Sequence, residues 1–248
     1  MNKKVFFALA VLVLVALACT FTPVTIVATP TTQPPAVNTP IPPPPAVNTP
    51  TTQPPAGGGG NGQQILFQDD FSDINSGWDH SATQNGTADY ANGGYEIHIT
   101  ATNLFKWANP SQGLQNDVRI EVDATKLGGP DDNAFGVICR YQDSNNFYKF
   151  YLTNDGYAGV IKEENGNSTV ISSADGKMPP VNGINQGAAT NHIRVDCIGD
   201  TLTLYANGTQ VATATDSSFT GGDVGLVAAS YDTGGTDILF QNFFVYNP

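Results

Sequence analysis

Glu121 and Asp123 stand two residues apart in DVRIEVDATK, Asp117 to Lys126, where apolar and polar residues alternate. On a strand this spacing puts both carboxylates on one side, about 6.6 Å apart. Paired carboxylates are what acid–base hydrolysis of a glycosidic bond requires. They are also ordinary content of a solvated strand face. Arg119 shares their phase, and alternation in later segments places Arg140, Lys149, Tyr151 and Arg194 outward as well. Trp107, beside Lys106 and Asn109-Pro110, adds a candidate stacking ring at a strand end. Carboxylates accept hydrogen bonds, guanidinium groups donate in a fork, and a ring covers the C–H face of a sugar. Trp107, Arg119, Glu121, Arg140, Lys149, Tyr151 and Arg194 therefore form the candidate glycan-binding set. Glu121 and Asp123 double as weak catalytic candidates. This set makes one surface only if its four cations share one side of the molecule.

Other chemistries find less support. No nucleophile elbow, phosphate loop or HExxH occurs. The three Cys and three His lack zinc-ligand spacing. Cys139 and Cys197 fall on the apolar phase of their segments. In an exported protein they can pair as a disulfide, two buried thiols being the alternative. Asp69, Asp70 and Asp237 flank the first and last apolar segments. If those segments are neighbours, the three carboxylates could hold calcium, a cation that takes oxygen ligands. No other cofactor is implied.

The elements that must position these residues read as strands. Ala134–Tyr141, Asn146–Thr153 and Tyr157–Glu163 alternate and are separated by Asx- and Gly-rich turns, a β-meander. Asn191–Ile198, Thr201–Ala206 and Thr209–Thr215 repeat the pattern. Gly86–Asn92 and Gly94–Thr100 meet at an Asn-Gly-Gly turn, a hairpin signal. Ile65–Phe71, Asn103–Ala108, Asp223–Tyr231 and Asp237–Tyr246 add further strands, and Ala174–Ala189 reads as a long loop. Trp78 follows a turn and is expected to plug an end of the fold. No window has a helical period. About a dozen short strands with turn chemistry between them predict an all-β, two-sheet sandwich over residues 63–248.

Residues 1–62 differ in kind. All 22 acidic residues follow position 62, and Lys3 and Lys4 are the basic residues before it. A domain this acidic is a poor partner for nucleic acid. Met1–Lys4 is a short basic region, followed by an apolar run from Val5 to Ala18. That run falls short of the ~20 residues a transmembrane helix needs and fits a secretory signal over residues 1–19. Ala16-Leu17-Ala18-Cys19 resembles the bacterial lipobox, with Ala16 where Leu is usual. The resemblance implies lipidation at Cys19 and a membrane anchor outside the cytoplasm; ordinary signal cleavage is the alternative. Residues 20–62 are low in complexity, with TPTTQPPA at 29–36 and again at 49–56. Proline at this density favours an extended, disordered stalk reaching roughly 100 Å.

FQDDF at 67–71 with Gly77-Trp78, FGVICRYQDSNNFYKFYLTNDGY, IRVDCIGDTLTLYANG and the closing DILFQNFFVY together resemble the concanavalin A-like lectin/glucanase sandwich. They look most like the 3-keto-disaccharide hydrolase-type domain within it. The resemblance implies a jelly roll of two curved sheets with a sugar-facing side, and it strengthens the calcium expectation. Laminarinase-type glycosidases of this fold carry E-x-D-x-x-E or E-x-D-x-E, with the last Glu as acid/base. Here Thr125 and Lys126 stand at those last positions, so the dyad is incomplete. The leading expectation is a surface-anchored glycan-binding module. A hydrolase of glycosides or keto-disaccharides, and an adhesive protein-binding module, are the alternatives.

Overall fold

A computed structural model describes residues 63–113 and 116–248. The signal-like segment 1–19 with Cys19, and the Pro-rich stretch 20–62, lie outside the described residues. Among the described residues the secondary structure is all strand, with no helix. The first five strands are β1 (Ile65–Asp69), β2 (Ser81–Thr83), β3 (Gly86–Ala91), β4 (Gly94–Ile99) and β5 (Leu104–Ala108). Then come β6 (Val118–Gly128), β7 (Asn133–Asp143), β8 (Asn146–Leu152), β9 (Ala158–Glu164) and β10 (Asn167–Val170). The last are β11 (Thr190–Ile198), β12 (Thr201–Ala206), β13 (Thr209–Thr215), β14 (Asp223–Ser230) and β15 (Thr236–Tyr246).

Nine strands form one sheet, ordered β13-β12-β11-β6-β15-β4-β3-β2, with β1 on the far half of β15. Six form the other, ordered β10-β9-β8-β7-β14-β5. The meander read from sequence is β7-β8-β9, and the second is β11-β12-β13. β1 and β15 run antiparallel with Ile65 opposite Tyr246, so the first and last strands lie side by side.

The core lies between the sheets, and period-two alternation puts it there. From the nine-stranded sheet Val118, Ile120, Val122, Ile193 and Val195 point inward; from the other come Phe135, Val137, Tyr148, Phe150 and Leu152. Trp78 closes one end, as its place after a turn suggests. It packs on Phe71, Tyr95 and Phe243 with ring centroids 5.4, 5.4 and 5.0 Å away. Its Nε1–H donates to Asp69 at 3.0 Å, which satisfies the one polar atom a buried indole carries.

Straight alternation fails in β7. The pairing of β7 with β8 shifts register between Cys139 and Asp143, and Arg140 sits at φ 54°. A bulge of this kind re-aims side chains. Arg140 turns inward to the end of the sandwich, where its guanidinium donates to Phe219 O at 2.9 Å and Gly199 O at 2.6 Å. Tyr141, which alternation assigns to the core, joins the aromatic cluster on the outer face. Gly222 packs against this bulge: a Cβ there would meet the Arg140 carbonyl carbon at 2.4 Å.

Cys139 on β7 and Cys197 on β11 are bonded, with Cα atoms 6.9 Å apart and a sequence separation of 58. The bond joins the two sheets through the core. Closing a loop of this length restricts the unfolded chain by about 4 kcal/mol on the chain-entropy model. The paired variant Cys139→Ala/Cys197→Ala is therefore expected to unfold at lower urea. Its stability loss should be about 2–5 kcal/mol. Equal midpoints for oxidised and reduced wild type would contradict this.

Candidate functional site

The structure divides the residues singled out in the sequence among three places. Arg119, Glu121 and Asp123 lie on the outer face of the nine-stranded sheet, opposite Asp196, Arg194 and His192 of β11. Arg140 is buried at the end of the sandwich. Trp107, Lys149 and Tyr151 lie on the outer face of the six-stranded sheet. The expected single surface holding all four cations does not exist. Alternation reports the phase within a strand, not which sheet the strand joins, and the bulge reverses Arg140 outright.

On the nine-stranded face the charges are spent on one another. Arg119 Nε donates to Asp196 Oδ1 at 2.8 Å, and Arg194 Nη2 to Asp196 Oδ2 at 2.5 Å. Burial would raise the Asp196 pKa, but these two guanidinium groups bring it below the ordinary carboxylate value. Arg194 also covers the Tyr205 ring, 4.4 Å from its centroid. Asp123 bonds His192 Nδ1 and accepts from Asn242 Nδ2, both at 2.8 Å. Glu121 stands 3.8 Å from His192 Nε2. This is a solvated, cross-paired strand face.

The three carboxylates proposed for calcium also separate. β1 and β15 are neighbours as expected, but β1 pairs with the far half of β15. Asp69 lies opposite Phe243, six residues from Asp237 and roughly 20 Å along the strand. Asp69 accepts from Phe71 N–H at 2.7 Å and from Trp78, Asp70 from Ser72 N–H at 3.0 Å. Asp237 faces His98 at 3.4 Å. Among the described residues no three His, Cys, Asp or Glu side chains converge on a metal position.

The six-stranded sheet carries a second apolar cluster outside the core. Its middle is small: Ala134 and Gly136 on β7, Val227 and Ala229 on β14. A Cβ at Gly136 would come within 1.8 Å of Phe150 O, so the backbone approach there demands glycine. Large side chains rise around this floor. Phe105 and Trp107 of β5 lie 5.5 Å apart by ring centroid, and Phe147 lies 5.9 Å from Trp107 and 5.4 Å from Tyr141. Phe105, with Val170, Met178 and Tyr231, bounds a cleft of about 470 Å³, and Trp107 and Tyr141 line the bay beside it.

Two polar side chains reach this cleft from β8. Lys149 is 2% exposed. Its ammonium donates to Glu163 at 2.7 Å and Ser168 Oγ at 2.9 Å, and lies 3.9 Å from the Phe105 centroid. Burial lowers its pKa, and Glu163 pushes back. Tyr151 is 5% exposed, and its hydroxyl has no hydrogen-bond partner. Burial holds that phenol well above its ordinary range. Burial, followed by the charges of Asp132 and Asp155, pushes Tyr231 up to about 12. Both tyrosines are neutral hydrogen-bonding groups across the physiological range. Sequence reasoning singled out Trp107, Lys149 and Tyr151 of this face and passed over Phe105, Phe147 and Glu163. The signal was present for two of them: Phe147 shares the phase of Lys149, and Phe105 that of Trp107.

Two measurements check this electrostatic picture. Glu163→Gln strands a buried ammonium and is expected to cost about 3–5 kcal/mol in urea unfolding. Replacing both partners, as Lys149→Met with Glu163→Leu, should recover most of that loss. On the other sheet the Asp123 hydrogen bond raises the His192 pKa above 6.5. A raised folded-state value means stability present below the unfolded pKa and lost as pH climbs through the folded one. An NMR titration should place the His192 midpoint above 6.5, with Asp123→Asn returning it toward that value. Melting temperature should fall as pH rises above 6.5 through the raised His192 midpoint in the wild type, and less in the variant.

No protein-family model matches the sequence, and no curated protein matches it. Solved structures share its fold. The catalytic domain of an endo-1,3-beta-glucanase (laminarinase) from Thermotoga petrophila RKU-1 superposes with a TM-score of 0.52 at 10% identity, covering 76% of this chain and 99% of its own. A structure from work on endo-acting O-glycanases, expressed by prominent human gut microbiota to initiate mucin breakdown, gives 0.52 at 9% identity over 75% of this chain and 100% of its own. The carbohydrate binding module CBM66 from Bacillus subtilis gives 0.47 at 22% identity over 69% of this chain and 96% of its own. The first two share the all-β, two-sheet sandwich fold of this domain.

Proposed function

We propose that the domain binds carbohydrate in the cleft on the outer face of the six-stranded sheet. The observation that carries this is a cleft lined by Phe105, Tyr231 and Tyr151, the last with a buried hydroxyl that has no partner within the protein. A buried polar atom without a partner costs free energy that a ligand hydroxyl can recover. Phe105 and Tyr231 line it and offer apolar faces for the C–H side of a sugar ring. Tyr151, Tyr231 and Ser168 offer neutral donors and acceptors for its hydroxyls. Lys149 is tied to Glu163 and Ser168, so the cleft is not built around a free cation for an anionic ligand. Two fold neighbours are named for action on glycans, which agrees with this reading.

Binding is favoured over hydrolysis of glycosides or keto-disaccharides. Glu121 and Asp123 stand on the opposite sheet, and no carboxylate lines the central cleft. The ordinary glycosidase route needs two carboxylates about the bond. The disulfide agrees with an oxidising compartment outside the cytoplasm. With the signal-like segment and Cys19, the reading becomes a lipid-anchored protein that holds glycan near the envelope. Among the described residues an adhesive role toward proteins has no comparable feature to rest on.

The test is retention on immobilised polysaccharides, laminarin and mucin glycans among them, with the full chain. Phe105→Ala and Tyr151→Phe should each weaken binding several-fold to about tenfold. Arg194→Ala on the other sheet should leave it unchanged. Binding lost with Arg194→Ala but kept by both cleft variants would move the site to the nine-stranded face.

A further inference from the structure

The cleft does not stand alone. A second bay of about 460 Å³ adjoins it and contains Trp107, Tyr141, Lys106 and Asp79. Leu104 and Phe105 line both bays. A third bay of about 640 Å³ adjoins the cleft on another side and contains Asp132, Asp155, Tyr157 and Lys177. Val170, Met178 and Tyr231 are common to it and the central bay. The partitions are therefore side chains, and two of them, Phe105 and Tyr231, are aromatic rings over which a sugar can pass. Met178 is unbranched and polarizable, the kind of side chain that adapts to what crosses it. Each bay falls within the size range of a small-ligand site by itself. Each also brings its own hydrogen-bonding groups: Lys106 and Asp79 in the second, Tyr151 and Ser168 in the centre, Tyr157 and Lys177 in the third.

We propose that these three contiguous bays take an extended glycan, a run of about three or more linked units, rather than a single terminal sugar. The inference rests on the carbohydrate reading of the central cleft. Linked units make occupation of the second and third bays intramolecular, so affinity climbs with length until the bays are filled. A site for a terminal sugar would show no such climb, because the units beyond the first would meet only solvent.

The experiment is a calorimetric length series. An array holding monomer-to-hexamer series of neutral homo-oligosaccharides, β-1,3-glucans and β-1,4-xylans among them, is screened with the full chain. Every series that binds is then titrated by length. Affinity should rise at least tenfold from one unit to three and level off beyond about four. Tyr157→Ala and Lys106→Ala, each in an outer bay, should flatten that rise while leaving monosaccharide affinity within about twofold. Tyr151→Phe, in the centre, should lower all lengths by a similar factor. Near-ultraviolet circular dichroism checks that each variant is folded, and Lys177→Ala and Lys106→Ser replace any that is not. Length-independent affinity would overturn the extended-ligand inference and leave the central cleft standing. Absence of binding by every series would overturn both.

Discussion

The inward packing of β8 governs the rest of the structure. Tyr148, Phe150 and Leu152 are fully buried between the sheets. A strand has only two sides, so Phe147, Lys149 and Tyr151 must stand on the other. The cleft wall is thus set by the demands of the core. A slip of one residue would put the ammonium of Lys149 among the core side chains and Phe150 outside. Small residues on β7 and β14 complete the arrangement, because bulk there would fill the depression that β5 and β8 surround.

This arrangement leaves the sheet apolar on both sides. The strands β7, β8 and β14 are buried along most of their length although one of their faces is outside the core. An ammonium in that setting needs its counter-charge close by, and Glu163 on the adjacent strand supplies it. Together they form a buried, internally neutral unit beneath the Phe105 ring. The nine-stranded sheet is organised differently: its outer side chains answer one another across strands in water. One face has an aromatic-lined cleft and the unpartnered hydroxyl of Tyr151; the other carries Tyr205 under Arg194 and the stacked Phe244–Tyr246 pair. That contrast separates the two faces more sharply than a count of charged residues does.

Much of the architecture was legible in the sequence. The alternation of β6, the two meanders and the Asn-Gly-Gly hairpin predicted two stacked layers, and Cys139 and Cys197 on the inward phase predicted their bond. The site was legible only in part. Arg119 and Lys149 carry the same local pattern yet belong to different sheets, and strand order depends on long-range pairing that no local period records. The Cys139–Asp143 bulge exchanges the sides of Arg140 and Tyr141 without glycine or proline at the exchanged positions to announce it. Asp69 and Asp237 belong to adjacent strands, as expected. Antiparallel register then holds them apart, because β1 reaches only the end of β15.

That same pairing of β1 with β15 brings the entry and exit of the sandwich together, with Ile65 opposite Tyr246. Both belong to the nine-stranded layer, whereas the cleft is built on the other. Domains whose ends meet tolerate circular permutation and insertion into host loops. A short bridge between the two ends, with new ends opened in the exposed turn at Asn207-Gly208, would reorder the connectivity without touching the aromatic floor. The module is thus portable: it can be grafted into a scaffold by both ends at once, with the cleft of the six-stranded sheet left facing outward.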